Sequence, residues 1–479
     1  MNTTLRHAPA PPAGTPYAEL RASLPVRLAF VLFTLSFVGF MAQGAAGFLT
    51  GPLENRIPVP VHLLLVYAAA LLVMLDARAR RVLLMGRYGR VPVVGAVVVM
   101  LTLGLREGIF AMTELESKRL FQIFSGCVIY LFAFVLVRNA KYTRRLLSTL
   151  FVMTCLSAVL SMVEVVLNVR MPWSLYAKTR GASFGGGLET FPVSFAYAVL
   201  APCVIAGISV LCRPRGGWMP GRFLSSVTLA LGTTGLIVSA SRSGLMGLAV
   251  GCFAGLLLHG RHRLRTLQMV GVPATSVLVV LGPMLAARVL KEPVLEDVRL
   301  YGTWVTYLPL VIMHPLGVSL EESVTDKVFD AQAELGLRVD QTVVSEALAI
   351  APHNAFLTAG VEFGWAAVFV LALIYFSCWR HGRRALRLAP DPGPRVLVAA
   401  LLACIPALLV HMSFHNASLL QGEMRNWLYL GMLTGFAVHL RVQRRRARAA
   451  AEAQYRYRPA EDWVPVLGVP APAGPDPRG

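Results

Sequence analysis

Charge is what this chain has least of. Only 15% of its 479 residues are Asp, Glu, Lys or Arg, where a soluble domain carries about a quarter. A water-exposed globule is excluded and an integral membrane protein is indicated. There is no HExxH, no zinc-type His/Cys spacing, no glycine-rich nucleotide loop and no internal repeat, so metallohydrolysis and nucleotide-driven transport lose their support. The seven cysteines, Cys127, Cys155, Cys203, Cys212, Cys252, Cys378 and Cys404, form no CxxC pair and lie in apolar runs or at their ends. Neither a disulfide framework nor a thiolate metal site is expected. A cleavable signal is lacking too: residues 1–25 hold Pro and Ala but no charged segment leading into a short apolar core. The first apolar run is expected to remain as a helix.

What is abundant is apolar surface, with 56% hydrophobic residues and a mean hydropathy of +0.62. Runs long enough to cross roughly 30 Å of hydrocarbon recur, and helices satisfy the backbone there. The expected fold is an all-α integral membrane protein with about twelve transmembrane helices, near residues 26–47, 57–75, 91–105, 120–138, 146–168, 191–212, 223–240, 243–259, 267–285, 355–378, 396–414 and 424–440. The net charge of +20 would suit nucleic acid, but 31 of the 45 Lys and Arg fall in every second inter-helix segment. That is the pattern of cytoplasmic loops, and it places both termini in the cytoplasm with no nucleic-acid partner. Residues 1–25 then form a cytoplasmic segment and 26–440 the membrane domain. A long outer loop containing short helices, residues 286–353, joins spans nine and ten. Residues 441–479 form a basic, Pro/Ala-rich tail, read as a collar at the lipid headgroups followed by a disordered end.

Candidate functional residues cluster in the outer segments. Arg242 sits in Ser239-Ala240-Ser241-Arg242-Ser243-Gly244, a hairpin so tight that two membrane helices reverse within it. A guanidinium costs roughly 2.5 to 3.5 kcal/mol at mid-membrane unless it meets an anion; an arginine snorkelling to headgroups is the plain alternative. Arg299 lies in Glu296-Asp297-Val298-Arg299 and either binds an anion or pairs with Glu296. The helical period over 300–312, with Trp304, Leu308 and Ile312 on one stripe, predicts an amphipathic helix at the outer interface. The acidic stretch 320–349 is expected to form a short helix or a mobile cover. His353, after Pro352, opens the tenth span, where the positive end of a helix keeps an imidazole neutral and able to take a proton from a hydroxyl; a satisfied interfacial histidine fits equally. Glu362 and Glu164 are membrane carboxylates, functional or paired with a cation or Ser elsewhere. Arg180 belongs to a glycine-rich strip, Lys178-Thr179-Arg180-Gly181 through Gly185-Gly186-Gly187, suited to polyanion contact or an ordinary loop. His411, His415, Asn416, Glu423 and Arg425 gather near the same face, without carboxylates at ligand spacing, so no metal is expected.

The order of these pieces resembles the O-antigen ligase and polymerase superfamily. The resemblance rests on Ser-Arg-Ser-Gly at 241–244 of the turn, Arg299 to Trp304 leading into His314-Pro315-Leu316-Gly317, and His353-Asn354-Ala355-Phe356 followed by Gly360 and Gly364. Arg180-Gly181 with Phe191-Pro192 is similar as well. One departure is visible: Val318-Ser319-Leu320 follows Gly317, where the family often has a second glycine. The resemblance implies a bacterial inner-membrane glycosyltransferase that needs no metal, nucleotide or other cofactor. It would move a glycan from undecaprenyl pyrophosphate to an acceptor hydroxyl, that of lipid A core, on the periplasmic face. Arg242 and Arg299 would hold the pyrophosphate and His353 would activate or orient the acceptor, with Arg180, Asn354 and Glu362 contributing to substrate binding. The alternatives are a polymerase of polysaccharide repeat units, acting on a growing chain, a protein O-oligosaccharyltransferase, or, from another class, a flippase of lipid-linked sugars.

Overall fold

The computed structural model describes residues 23–46, 60–77, 79–80, 82, 89–107, 114–169, 171–173, 185–189, 191–212, 217–259, 302–318, 324–337, 341–350, 352–389, 392–416 and 418–456. Among these residues every regular element is a helix. In chain order they are α1 (Leu24–Phe40), α2 (Val61–Leu75), α3 (Val91–Glu107), α4 (Glu114–Leu136), α5 (Ala140–Val166), α6 (Pro192–Cys212), α7 (Arg222–Val238), α8 (Arg242–His259), α9 (Thr303–Met313), α10 (Val324–Glu334), α11 (Gln341–Ile350), α12 (Ala355–Phe363), α13 (Trp365–Leu388), α14 (Pro392–Met412) and α15 (Met424–Arg456).

Five helices are long and apolar enough to cross a membrane, namely most of α4 and α6 and the whole of α5, α13 and α14; α1, α2, α3, α7, α8 and α9 are shorter apolar helices. The apolar run expected at 267–285 lies outside the described residues. The bundle's outer surface fits hydrocarbon and not water: α13 exposes Phe369, Leu373 and Phe376 on one stripe, and α1 exposes Leu28, Val31 and Leu35. Contiguous apolar surface of that kind needs a cover, and helices satisfy their own backbone when that cover is lipid.

Three features depart from or refine the sequence reading. The run at 355–378 is two helices, because Gly364 adopts φ +77° between α12 and α13. A disordered end was expected beyond a collar beginning at Arg441, yet α15 continues to Arg456. Alanine and arginine are strong helix formers, and 441–456 is rich in both. The acidic segment forms two helices, α10 and α11, packed with α9 over a small core of Tyr307, Leu310, Val311, Val318, Val328, Ala331, Val344 and Val361. Val318 is seated in that core. Across α9, Trp304, Leu308 and Ile312 stay exposed on the predicted stripe.

Close approach in the centre comes from small residues. Gly247, Gly251 and Gly255 line one face of α8, and a Cβ there would fall 2.7 Å from the Ala407 carbonyl oxygen, 2.7 Å from Val204 and against Ile208 respectively. The four-residue spacing lets α8 press against α14 and α6, the packing mode that replaces hydrophobic drive inside lipid.

Candidate functional site

That close packing decides where the start of α8 lies. The α7–α8 turn is closed by backbone bonds from Ser239, Ala240 and Ser241 to the last carbonyls of α7, with Ala240 at φ +51°. The Ser241 hydroxyl accepts from the Gly244 amide, 3.2 Å, and so caps α8. Arg242 is the first residue of α8 and is exposed. A cation at a helix N-terminus opposes the helix dipole, so this position favours an anion close by.

One residue on, the buried Ser243 hydroxyl lies 2.9 Å from His411 Nδ1, in the last turn of α14, and 2.7 Å from His415 Nε2, in the turn that follows it. A hydroxyl has one proton, so it donates to one imidazole and accepts from the other. Tyr197 of α6 packs edge-on to both rings, at 4.2 and 6.3 Å between centroids. The His353 ring stands 6.4 Å from that of His415. Asn354 fixes this neighbourhood: its Oδ1 accepts from the Phe356 and Leu357 amides to cap α12, and its Nδ2 donates to the Ser413 carbonyl at 3.2 Å. The Ser239–Gly244 turn and the His353–Asn354 helix start therefore meet, joined by the end of α14. Asn354 contributes by holding that junction, since its carboxamide is buried and engaged with protein on both sides.

The other candidates divide. Arg299 and Arg180 lie outside the described residues. Glu362, about 12 Å along α12 from Asn354, pairs with Arg119 of α4 at 3.1 Å, and Arg119 also donates to the Gln421 carbonyl. Its role is the paired one. Glu164 is likewise structural: one carboxylate oxygen accepts from the Gly186 and Gly187 amides, each at 2.8 Å. It pins the end of the glycine strip against α5.

Charge partners invisible in the sequence account for the remaining cations here. Arg106 ends α3 by donating to the carbonyls of Leu316 and Glu362 and to the carboxylate of Glu116. It thereby locks the Pro-Leu-Gly segment onto the α12–α13 break, where Val318 N–H bonds to the Val361 carbonyl and Trp365 N–H to that of Pro315. A Cβ on Gly364 would collide with Pro315 and Leu316. Arg425, only 3% exposed, meets Glu189 at 2.7 Å and both oxygens of Glu423, at 2.5 and 2.7 Å. With one cation facing two carboxylates, burial outweighs Arg425 and Glu189 is pushed up to about 7. Glu423 with Arg425 forms a buried brace between α15 and the loop before α6. No group of His, Cys, Asp and Glu suited to a metal ion occurs among the described residues. Comparison with protein-family profiles finds no match to this chain, and comparison with curated proteins finds none either.

Proposed function

We propose that the chain is a bacterial inner-membrane glycosyltransferase of the O-antigen ligase type, with about twelve spans and both termini cytoplasmic. It would move a glycan from undecaprenyl pyrophosphate to a hydroxyl of lipid A core. The observation that carries this reading is the convergence of exposed Arg242, the Ser243–His411–His415 cluster and His353 at one end of the bundle. In such a transfer the acceptor oxygen attacks the anomeric carbon of the donor sugar, and the bond from that carbon to the phosphate oxygen breaks. The pyrophosphate leaves with the electron pair, and Arg242, with Arg299, neutralises its growing charge by charge-assisted hydrogen bonds. His353 takes the acceptor proton. Both substrates are lipid-anchored, which suits a site at the end of a bundle whose flanks face lipid.

The test is transfer by purified protein in vesicles supplied with undecaprenyl pyrophosphate-linked glycan, with and without lipid A core and without added metal. Glycan moving onto the core, and lost in Arg242→Ala and His353→Ala while both remain folded, supports the ligase. A donor that lengthens without core makes the same site a polymerase. A donor that only changes leaflet, with its pyrophosphate bond intact, overturns the transferase reading.

A further inference from the structure

At the opposite end of the bundle, about 24 Å along α8 from Arg242, the arginines are arranged differently. Arg441, Arg444, Arg445 and Arg448 recur at helical spacing on one face of α15, and Arg384 and Arg387 stand one turn apart on α13, which packs against α15. Together with Leu388 these six line a cavity of about 470 Å³. A second cavity of about 220 Å³ shares Arg387 and adds Arg383 and Arg395 over Leu257, Leu258 and Leu386. All but Arg441 of the six are exposed, and the lining described for the two cavities contains no carboxylate.

Like charges one helical turn apart repel, and two such faces set against each other compound the effect. A collar that only met headgroups by diffuse attraction would be served by arginines spread around the bundle; here they converge from two helices on a concave site. The paired cavities have a further property. Each supplies guanidinium forks fit for phosphate, Arg387 lies between them, and leucines lie beside the arginines in both. We infer that this end binds an anion with two linked phosphates, and the leucines favour a diphosphate lipid of the cardiolipin type, its phosphates divided between the cavities and its acyl chains along Leu257, Leu258, Leu386 and Leu388. The site is separate from the one assigned to transfer, and its test reads binding alone.

The full-length protein, purified in detergent, is titrated with cardiolipin, with phosphatidylglycerol at equal charge and with inorganic pyrophosphate, and thermal unfolding and bound lipid are followed. Cardiolipin is expected to saturate near one molecule per chain and to bind about tenfold tighter than phosphatidylglycerol. Arg387→Gln combined with Arg445→Gln weakens it by roughly thirtyfold, and the corresponding pair of Lys variants restores part of the loss. Arg144→Gln with Arg145→Gln, on α5, leaves binding unchanged. Should pyrophosphate alone reproduce the stabilisation, the site takes a soluble anion and the lipid assignment falls. Equal binding of the two lipids, or equal loss in the α5 control pair, reduces the cavities to diffuse surface charge and overturns the proposal. The substituted arginines of α13 and α15 are exposed, so the variants fold; if the Gln pair does not, Arg384→Gln alone gives the same discrimination.

Discussion

The two ends of this bundle handle arginine in opposite ways. Where α8 begins, Arg106, Arg119 and Arg425 are each matched to a carboxylate, and each also donates to at least one backbone carbonyl. Where α8 finishes, eight arginines line two adjoining cavities. The first arrangement is internal bracing, in which charge is desolvated and therefore must be balanced. The second gathers like charge around cavities whose described lining contains no carboxylate. Arg242 belongs by position to the first end and by exposure to the second, which is why the proposed transfer assigns it to the donor's pyrophosphate.

The comparison can be broken most forcefully at Arg425. Arg425→Met leaves Glu189 and Glu423 buried without their cation, a loss of about 3 to 5 kcal/mol. The expected result is little folded protein on gel filtration, and normal folding of this variant would remove the distinction between braced and available arginines. Arg242→Ala should do the reverse, lowering transfer by about 10² to 10³ while thermal unfolding changes by no more than about 0.5 kcal/mol. Gly251→Leu tests how the two are connected. It wedges α8 away from α14 and should cost about 1 to 3 kcal/mol, with transfer falling because Ser243 no longer reaches His411 and His415. A further effect is in pH. Burial raises Glu189 from 4.5 to about 7, so the folded state keeps a proton that the unfolded chain has released. Stability is full below about pH 4.5 and declines as the pH rises through about 7. Glu189→Gln should flatten that slope in thermal unfolding measured across the same range.

How much of this could be read from residues alone varies with sequence distance. Ten of the twelve apolar runs each overlap one described helix and an eleventh, 355–378, overlaps two, because hydrophobic length is a local property. The Gly364 break was marked only by a glycine whose partner, Pro315-Leu316-Gly317, lies in another segment. The turn at Ser239–Gly244 and the His353–Asn354 start were recognisable as polar interruptions of apolar chain. Their meeting was not, since it depends on Ser243 reaching His411, 168 positions away. Glu362 raised the question of a buried cation, but nothing in sequence order chose Arg119, 243 positions earlier. The glycine spacing at 247, 251 and 255 is a local signal of the α8 contact face.

The joint at Gly364 has a mechanical consequence. The Pro-Leu-Gly segment at its base bolts the α9–α11 cover to α12 through main-chain bonds on both sides of the break. Asn354 seats the far tip of the same nine-residue helix on the end of α14. A rigid rod held at both ends transmits torque. Any displacement of the Pro-Leu-Gly segment would therefore be felt at His353 and at the end of α14.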